Sequence, residues 1–274
     1  IGGLLADAVT DTLQGLVVIA GLFLLFVAVA TAAGSPSAVL AKVEPARLAW
    51  LAKDDGVLSF IEKIAVPICG TIVAVELISR FLGARSAATA ATGTVIGGAM
   101  YLVVGLIPIY LGLAGPQLLP DLKEVEETVP RLAEAYLTPA LYVVFVGAII
   151  SAVLSTVHAT LHAPAAQVSH NLIAGTHPGM SPRTRLMTVR AVVAVLTVVA
   201  YLLAASSETI KELVETASAF GSAGVFVFLM FAIFSNFGGS LSAYAAIGVG
   251  MITWAGSKYL LEWDTPYISA LALS

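Results

Sequence analysis

No Asp, Glu, Lys or Arg occurs in residues 12–41, 86–120, 135–182, 191–207 or 216–257. A helix needs about 20 apolar residues to cross a hydrocarbon layer of about 30 Å, and most of these windows hold one such length or more. Charges placed this unevenly cannot wet the surface of a soluble globule. The alternating pattern of barrel strands is absent, which leaves helices as the spanning element. The chain therefore reads as an all-α, polytopic membrane protein.

Composition narrows the function classes. Of 274 residues, 59% are hydrophobic and 11% charged, against roughly 45–50% and 25% in soluble domains. Water-soluble enzymes and disordered chains are excluded. A net charge of −4 without a basic tract leaves no electrostatic footprint for nucleic acid. The single cysteine, Cys69, forms no internal disulfide and lies in an apolar segment. The chain opens at Ile1 and closes inside a new apolar run, "YISALALS", so we expect a piece of a longer protein.

Apolar runs bounded by charges or by Pro/Gly clusters predict about seven spans, near 9–32, 58–82, 88–114, 139–163, 186–205, 216–234 and 241–260. The last two are separated by "SNFGGS". The connector "PDLKEVEETVPRLAEAYLTP" predicts a short amphipathic helix lying on the membrane. Arg80 and Arg85 follow span two, and Arg183, Arg185 and Arg190 precede span five. Two crossings separate these acid-free connectors, so they share one face, which the positive-inside rule makes cytoplasmic.

Polar groups inside spans are costly and mark a path or a site by default. Asp11 and Gln14, three apart in "TDTLQG", lie on one helical face. An acid there suits either the dipole of a helix start or the exit of a cation. In "VPICGTIVAVELISR", Pro67 and Gly70 either kink span two for packing or unwind it to expose backbone groups for a ligand. Glu76 and Arg80 form an i,i+4 pair.

In "SAVLSTVHATL" the spacing of Ala152, Ser155 and Thr156 puts two hydroxyls and a carbonyl on one face. That oxygen set suits a hard monovalent cation, and it equally suits back-bonding to the preceding turn. His158 and His162 have the i,i+4 spacing of a zinc pair, but no Glu or Cys accompanies them. A wet cytoplasmic vestibule is the expected setting for this row, with a proton-coupling or gating role open to His158 and Glu76.

These segments resemble, over nearly the whole chain, the sodium:solute symporter family of sodium/proline and sodium/glucose transporters. "TDTLQG" resembles its Thr-Asp-x-x-Gln-Gly segment, and "ISRFLGARS" its Arg-Phe element. "SAVLSTVHATLHAPAAQVSHNL" is similar to its long ion-site helix. Arg190 and "SAFGSAGVFVFLMFAIF" resemble the two helices after that. The resemblance implies part of a leucine-transporter-type fold with inverted repeats. Span one would end the first repeat, spans two to six would form the second, and span seven would lie outside.

The resemblance also implies a sodium site of the Ala152 carbonyl and the Ser155 and Thr156 hydroxyls, completed by a helix ahead of this sequence. Asp11 matches an acid near the inner sodium exit. The solute would meet span two around Cys69, Gly70 and Thr71. Here "PICGTIVAVEL" replaces the family's aromatic and Gly-Gln-Pro-His run, with Glu76 where His would stand, and His158 stands where Asp is common.

The implied function is sodium-coupled symport of a small organic solute across a lipid bilayer, the bacterial inner membrane being the expected location. No nucleophile–base arrangement is visible and no cofactor is called for beyond the coupling ion, so an enzyme is not expected. A transporter-like sensory domain of a membrane histidine kinase and a proton-coupled symporter of the same fold are the alternatives. A channel is weaker, because no span carries the repeated polar stripe of a pore.

Overall fold

Several helix starts follow a Ser or Thr that closes the preceding connector. In the computed structural model, which describes residues 3–49, 56–122, 124–173, 175, 177, 179–207 and 209–274, four helices open on such a cap. Ser35 accepts from the Ala38 N–H (3.1 Å), Ser86 from Thr89 (3.1 Å), Ser181 from Thr184 (3.2 Å) and Thr209 from Glu212 (3.2 Å). Each side-chain oxygen satisfies a first-turn N–H that has no partner within its helix. Pro36 and Pro182 then occupy the first helical positions, where a missing N–H costs nothing.

The described residues form helices and no strand. They are α1 (Gly3–Ala32), α2 (Pro36–Ala41), α3 (Val57–Ile72), α4 (Val75–Leu82), α5 (Ala87–Leu118), α6 (Thr128–Tyr136) and α7 (Pro139–Gln167). After them come α8 (Pro182–Ser206), α9 (Ile210–Ala219), α10 (Ser222–Phe234), α11 (Ser240–Tyr259) and α12 (Pro266–Leu273), with short 3-10 turns at Pro45–Leu48 and Val125–Glu127. A π-helical stretch, Val168–Ile173, extends α7.

Five stretches among the described residues are long and apolar enough to cross a membrane: Val9–Ala32, Val57–Leu82, Ala87–Leu118, Pro139–Ile173 and Pro182–Ser206. The pair α9 and α10 makes a sixth, bent by 42°. Seven were expected. The difference lies in α11, whose 20 residues have the length but are diluted by Ser, Gly and Tyr. Large apolar side chains on the long helices face outward, as Val195, Val198 and Leu202 do on α8. In lipid such faces are the norm, because hydrocarbon tails replace a protein core.

Three local expectations change. The Val57–Leu82 crossing runs as helix through Pro67 and Gly70 and loses helical form only at Val73–Ala74. There the Val73 N–H reaches the Cys69 carbonyl (3.3 Å) and the Ala74 N–H reaches Thr71 (3.1 Å). The crossing near 216–234 is not one helix: Gly221, at φ 77°, takes a left-handed conformation open to glycine and breaks it. The amphipathic α6 has a protein partner for its apolar face, Leu132 and Ala133 being fully buried against a core that includes α1 and α5.

Two compact units result: Ile1–Leu48 with Gly83–Thr160, and Ala49–Leu82 with Leu161–Ser274. The first packs Leu25, Val29, Val39, Leu111, Leu132 and Phe145 into one core, with Phe26 edge-on to Tyr110 at 4.9 Å between centroids. Gly115 leaves room for the Thr128 methyl against α5. On the exposed face of α6, Glu127 and Glu134 flank Arg131 at 3.1 and 3.3 Å. Their bonds and charges raise its guanidinium pKa above the ordinary value and keep it cationic.

The second unit centres on Val66, Cys69, Ala219, Ala223, Trp254, Tyr267 and Ala270. Its α10 and α11 approach backbone to backbone. A Cβ on Gly224 would strike the Ala246 carbonyl, and one on Gly250 would lie 2.7 Å from the Gly224 nitrogen. Ala246 and Gly250 thus act as a small-xxx-small pair, the usual route to close helix packing in lipid. At the end of α11, the Lys258 ammonium donates to the Thr216 hydroxyl (2.8 Å) and sits 5.2 Å from the Trp254 ring centre.

Candidate ion and solute sites

In the first unit, α1 and α7 meet along an antiparallel seam. Residues 11, 14 and 21 of α1 face residues 155, 151 and 145 of α7. The Ser155 hydroxyl donates to the Asp11 carboxylate at 2.6 Å, and the Gln14 amide donates to the Ser151 hydroxyl at 2.8 Å. Ten residues further along α1, Gly21 lies under the Phe145 ring, in contact so close that a Cβ would enter it. The seam is polar at one end and apolar at the other. Asp11 and Gln14 share a face because they are three apart, and Ser151 and Ser155 because they are four apart.

The proton inventory decides what this cluster can bind. A hydroxyl has one proton and two lone pairs. Ser155 commits its proton to Asp11. Thr156 commits its own to the Ala152 carbonyl, at 3.0 Å. Both hydroxyl oxygens therefore present lone pairs outward, while the Ala152 carbonyl takes the Thr156 hydroxyl in addition to the helix's own N–H bond. A carboxylate stands directly behind Ser155. An oxygen-only cluster with one anionic neighbour fits a small hard cation and offers nothing to a soft metal. Among the described residues no group of three or more His, Cys, Asp or Glu could hold a metal ion.

The geometry bears on both readings of "SAVLSTVHATL". Thr156 does back-bond to the preceding turn, and the same bond turns its lone pairs outward. Asp11, which the sequence left between a helix dipole and a cation exit, is joined to Ser155 itself. Ser151 was missed in the sequence, although a second Ser one turn before Ser155, opposite a Gln one turn after Asp11, is a legible complementarity. His158 lies one turn beyond Ser155 and is exposed.

The expected solute contacts lie in the second unit. Cys69 is buried, 7% exposed, in the core of that unit. Gly70 faces the end of α9, with the Ser218 carbonyl 3.0 Å from where a Cβ would stand. Thr71 is exposed, two residues before the break at Val73–Ala74. A helix break leaves some carbonyls before it and N–H groups after it without intrahelical partners, and Thr71 stands beside that break while Cys69 lies in the core. Glu76 lies on α4, and its side chain is outside the described residues.

Glu62 is a further acid within the Val57–Leu82 crossing. In the structure its carboxylate accepts from the Tyr267 and Ile268 N–H groups, at 2.7 and 2.8 Å. The Tyr267 hydroxyl in turn lies 2.9 Å from Ser222.

The model of the sodium:solute symporter family matches residues 1–248 of the chain. No curated protein and no solved structure matches it. The match covers most of the 274 residues, and the chain belongs to the sodium:solute symporter family. It is an integral, multi-pass membrane protein of a family of sodium-coupled solute transporters.

Proposed function

We propose that this symporter-family chain couples the entry of sodium to the uptake of a small organic solute, with the Ala152 carbonyl and the Ser155 and Thr156 hydroxyls as its share of the ion site. The single observation that supports this most is the 2.6 Å bond from Ser155 to Asp11. It orients the Ser155 lone pairs and places an anion one bond from the ion. Sodium leaving this cluster toward the cytoplasm would pass Asp11, which can exchange its hydroxyl partner for the cation. The acid-free arginine connectors would face the cytoplasm of a bacterial inner membrane.

Transport needs no covalent chemistry. Moving one sodium down a membrane potential supplies about 2.3 kcal/mol per 100 mV, in addition to its concentration gradient. The solute would bind next to the break at Val73–Ala74, near Gly70 and Thr71, where backbone groups are released from the helix ladder. Cys69, being buried, would shape that helix more than it touches the solute. The absence of the family's Gly-Gln-Pro-His run points to a solute other than proline or a hexose.

The test uses the full-length transporter in proteoliposomes, with a panel of labelled amino acids, organic acids and sugars. Uptake is measured with an inward sodium gradient and, separately, with an inward proton gradient. Sodium-driven uptake of one solute class is expected, together with its loss in the Ser155→Ala, Thr156→Ala double variant at unchanged protein level. Retention of sodium stimulation at the original apparent affinity in that variant would overturn the site. Uptake driven by protons alone would overturn sodium coupling.

A further inference from the structure

An acid inside an apolar crossing is retained only if its lone pairs are engaged. Glu62 meets this condition without a cation. One carboxylate oxygen takes the Tyr267 N–H and the other takes Ile268, across 205 residues of sequence. The start of α12 is suited to receive it. Thr265 at its N-cap makes no side-chain bond, and Pro266 has no N–H to offer. The first two N–H groups of that helix are therefore the pair that Glu62 holds.

Glu62, Val66 and Cys69 follow each other at i, i+4 and i+7, so one stripe of α3 carries the bond and the packing. Val66 and Cys69 are buried in the core that holds Tyr267, and the Cys69 thiol reaches the Tyr267 hydroxyl. Ser222 donates its proton to the Ser218 carbonyl, so the 2.9 Å contact between Tyr267 and Ser222 is a bond donated by the tyrosine. Gly70 rests on that same Ser218 carbonyl. The links close a circuit from α3 to α12, from α12 to the bend between α9 and α10, and back to α3.

We propose that Glu62 is a positioning residue: by holding the first turn of α12 it makes α3, the bend and α12 one body, so that the Val57–Leu82 crossing flexes at Val73–Ala74. This deepens the proposed function, since the flexing point then adjoins the solute contacts at Gly70 and Thr71. It requires neither a particular solute nor a particular coupling ion.

The native Cys69 reports the circuit. In the full-length protein in membranes, labelling of Cys69 by a small membrane-permeant maleimide is followed by mass spectrometry of its peptide, without added sodium or solute. Slow labelling is expected in the wild type. Glu62→Ala, which removes two charge-assisted bonds, is expected to label about tenfold faster or more, because the opened form becomes more populated. Glu62→Gln keeps one acceptor oxygen and is expected to recover most of the protection. Equal labelling of wild type and Glu62→Ala would overturn the proposal. So would a Glu62→Gln variant that folds and labels as fast as Glu62→Ala, since that would leave the acceptor no role. Because labelling is read without transport, a negative result here is separate from a failure of sodium coupling.

Discussion

Ser155 on α7 donates a 2.6 Å hydrogen bond to Asp11 on α1, across 144 positions of sequence. The bond fixes where the hydroxyl proton goes, and with it which side of the oxygen is free to meet a cation. A local feature of one helix and a single acid on another become one polar cluster.

The charge of Asp11 is therefore expected to matter more than its size. Asp11→Asn keeps the volume and one acceptor but removes the anion, and a bond to a charged partner is worth about 1.5–3 kcal/mol. A rise of about tenfold in the sodium concentration needed for half-maximal uptake is expected, since about 1.4 kcal/mol is a factor of ten. Sodium titration of uptake in proteoliposomes checks it, and an unchanged half-saturation value would remove Asp11 from the site.

Gln14 and Ser151 stand one turn away on the same seam and form a neutral bond at 2.8 Å. Ser151→Ala should cost about 1 kcal/mol of stability, in the range of interhelical bonds in lipid, and leave sodium affinity untouched. Thermal unfolding in detergent and the same sodium titration separate the two effects. A large shift in sodium affinity would mean that the ion site extends to Ser151.

The apolar end of the seam is a shape fit of Gly21 to Phe145. Gly21→Ala should destabilise by about 1–3 kcal/mol through overpacking. Combined with Phe145→Leu, the cost should be clearly less than the sum of the two single variants, because one variant makes room for the other. Additive costs in thermal unfolding would show that the two positions do not touch.

Two classes of glycine should respond in opposite directions. Gly224 meets the Ala246 backbone, which cannot step aside, whereas Gly97 and Gly105 on α5 have nothing within 4 Å of an added Cβ. Gly224→Ala should lower stability by about 2 kcal/mol or more. Gly97→Ala should be neutral or stabilising by up to about 1 kcal/mol, the helix-propensity difference. A destabilised Gly97→Ala variant would mean that another helix covers this face in the membrane.

Much of this architecture is legible in the chain because it rests on local physics. Charge-free windows specify helices in a bilayer, since no other element satisfies its own backbone there. Ser35, Ser86, Ser181 and Thr209 specify where four of the helices begin. Gly238, with φ 94°, and its neighbours end one helix at Phe234 and let the next start at Ser240. The spacing of Ala152, Ser155 and Thr156 likewise puts these three residues on one face of α7.

What the chain alone could not decide is which polar group meets which. Pro67 and Gly70 marked a distortion in α3, but neighbouring helices support the backbone there, with Gly70 against Ser218 and Cys69 against Tyr267. The break moves to Val73–Ala74. Glu62 finds its partners only in α12, which supplies two N–H groups from the far end of the sequence. Asp11 suited a helix dipole or a cation exit by sequence, and only the packed α7 brings Ser155 to it. Periodicity acts within one helix, where neighbours are set by 3.6 residues per turn. Hydrogen bonds between helices depend on register and crossing, and only the packed structure settles those.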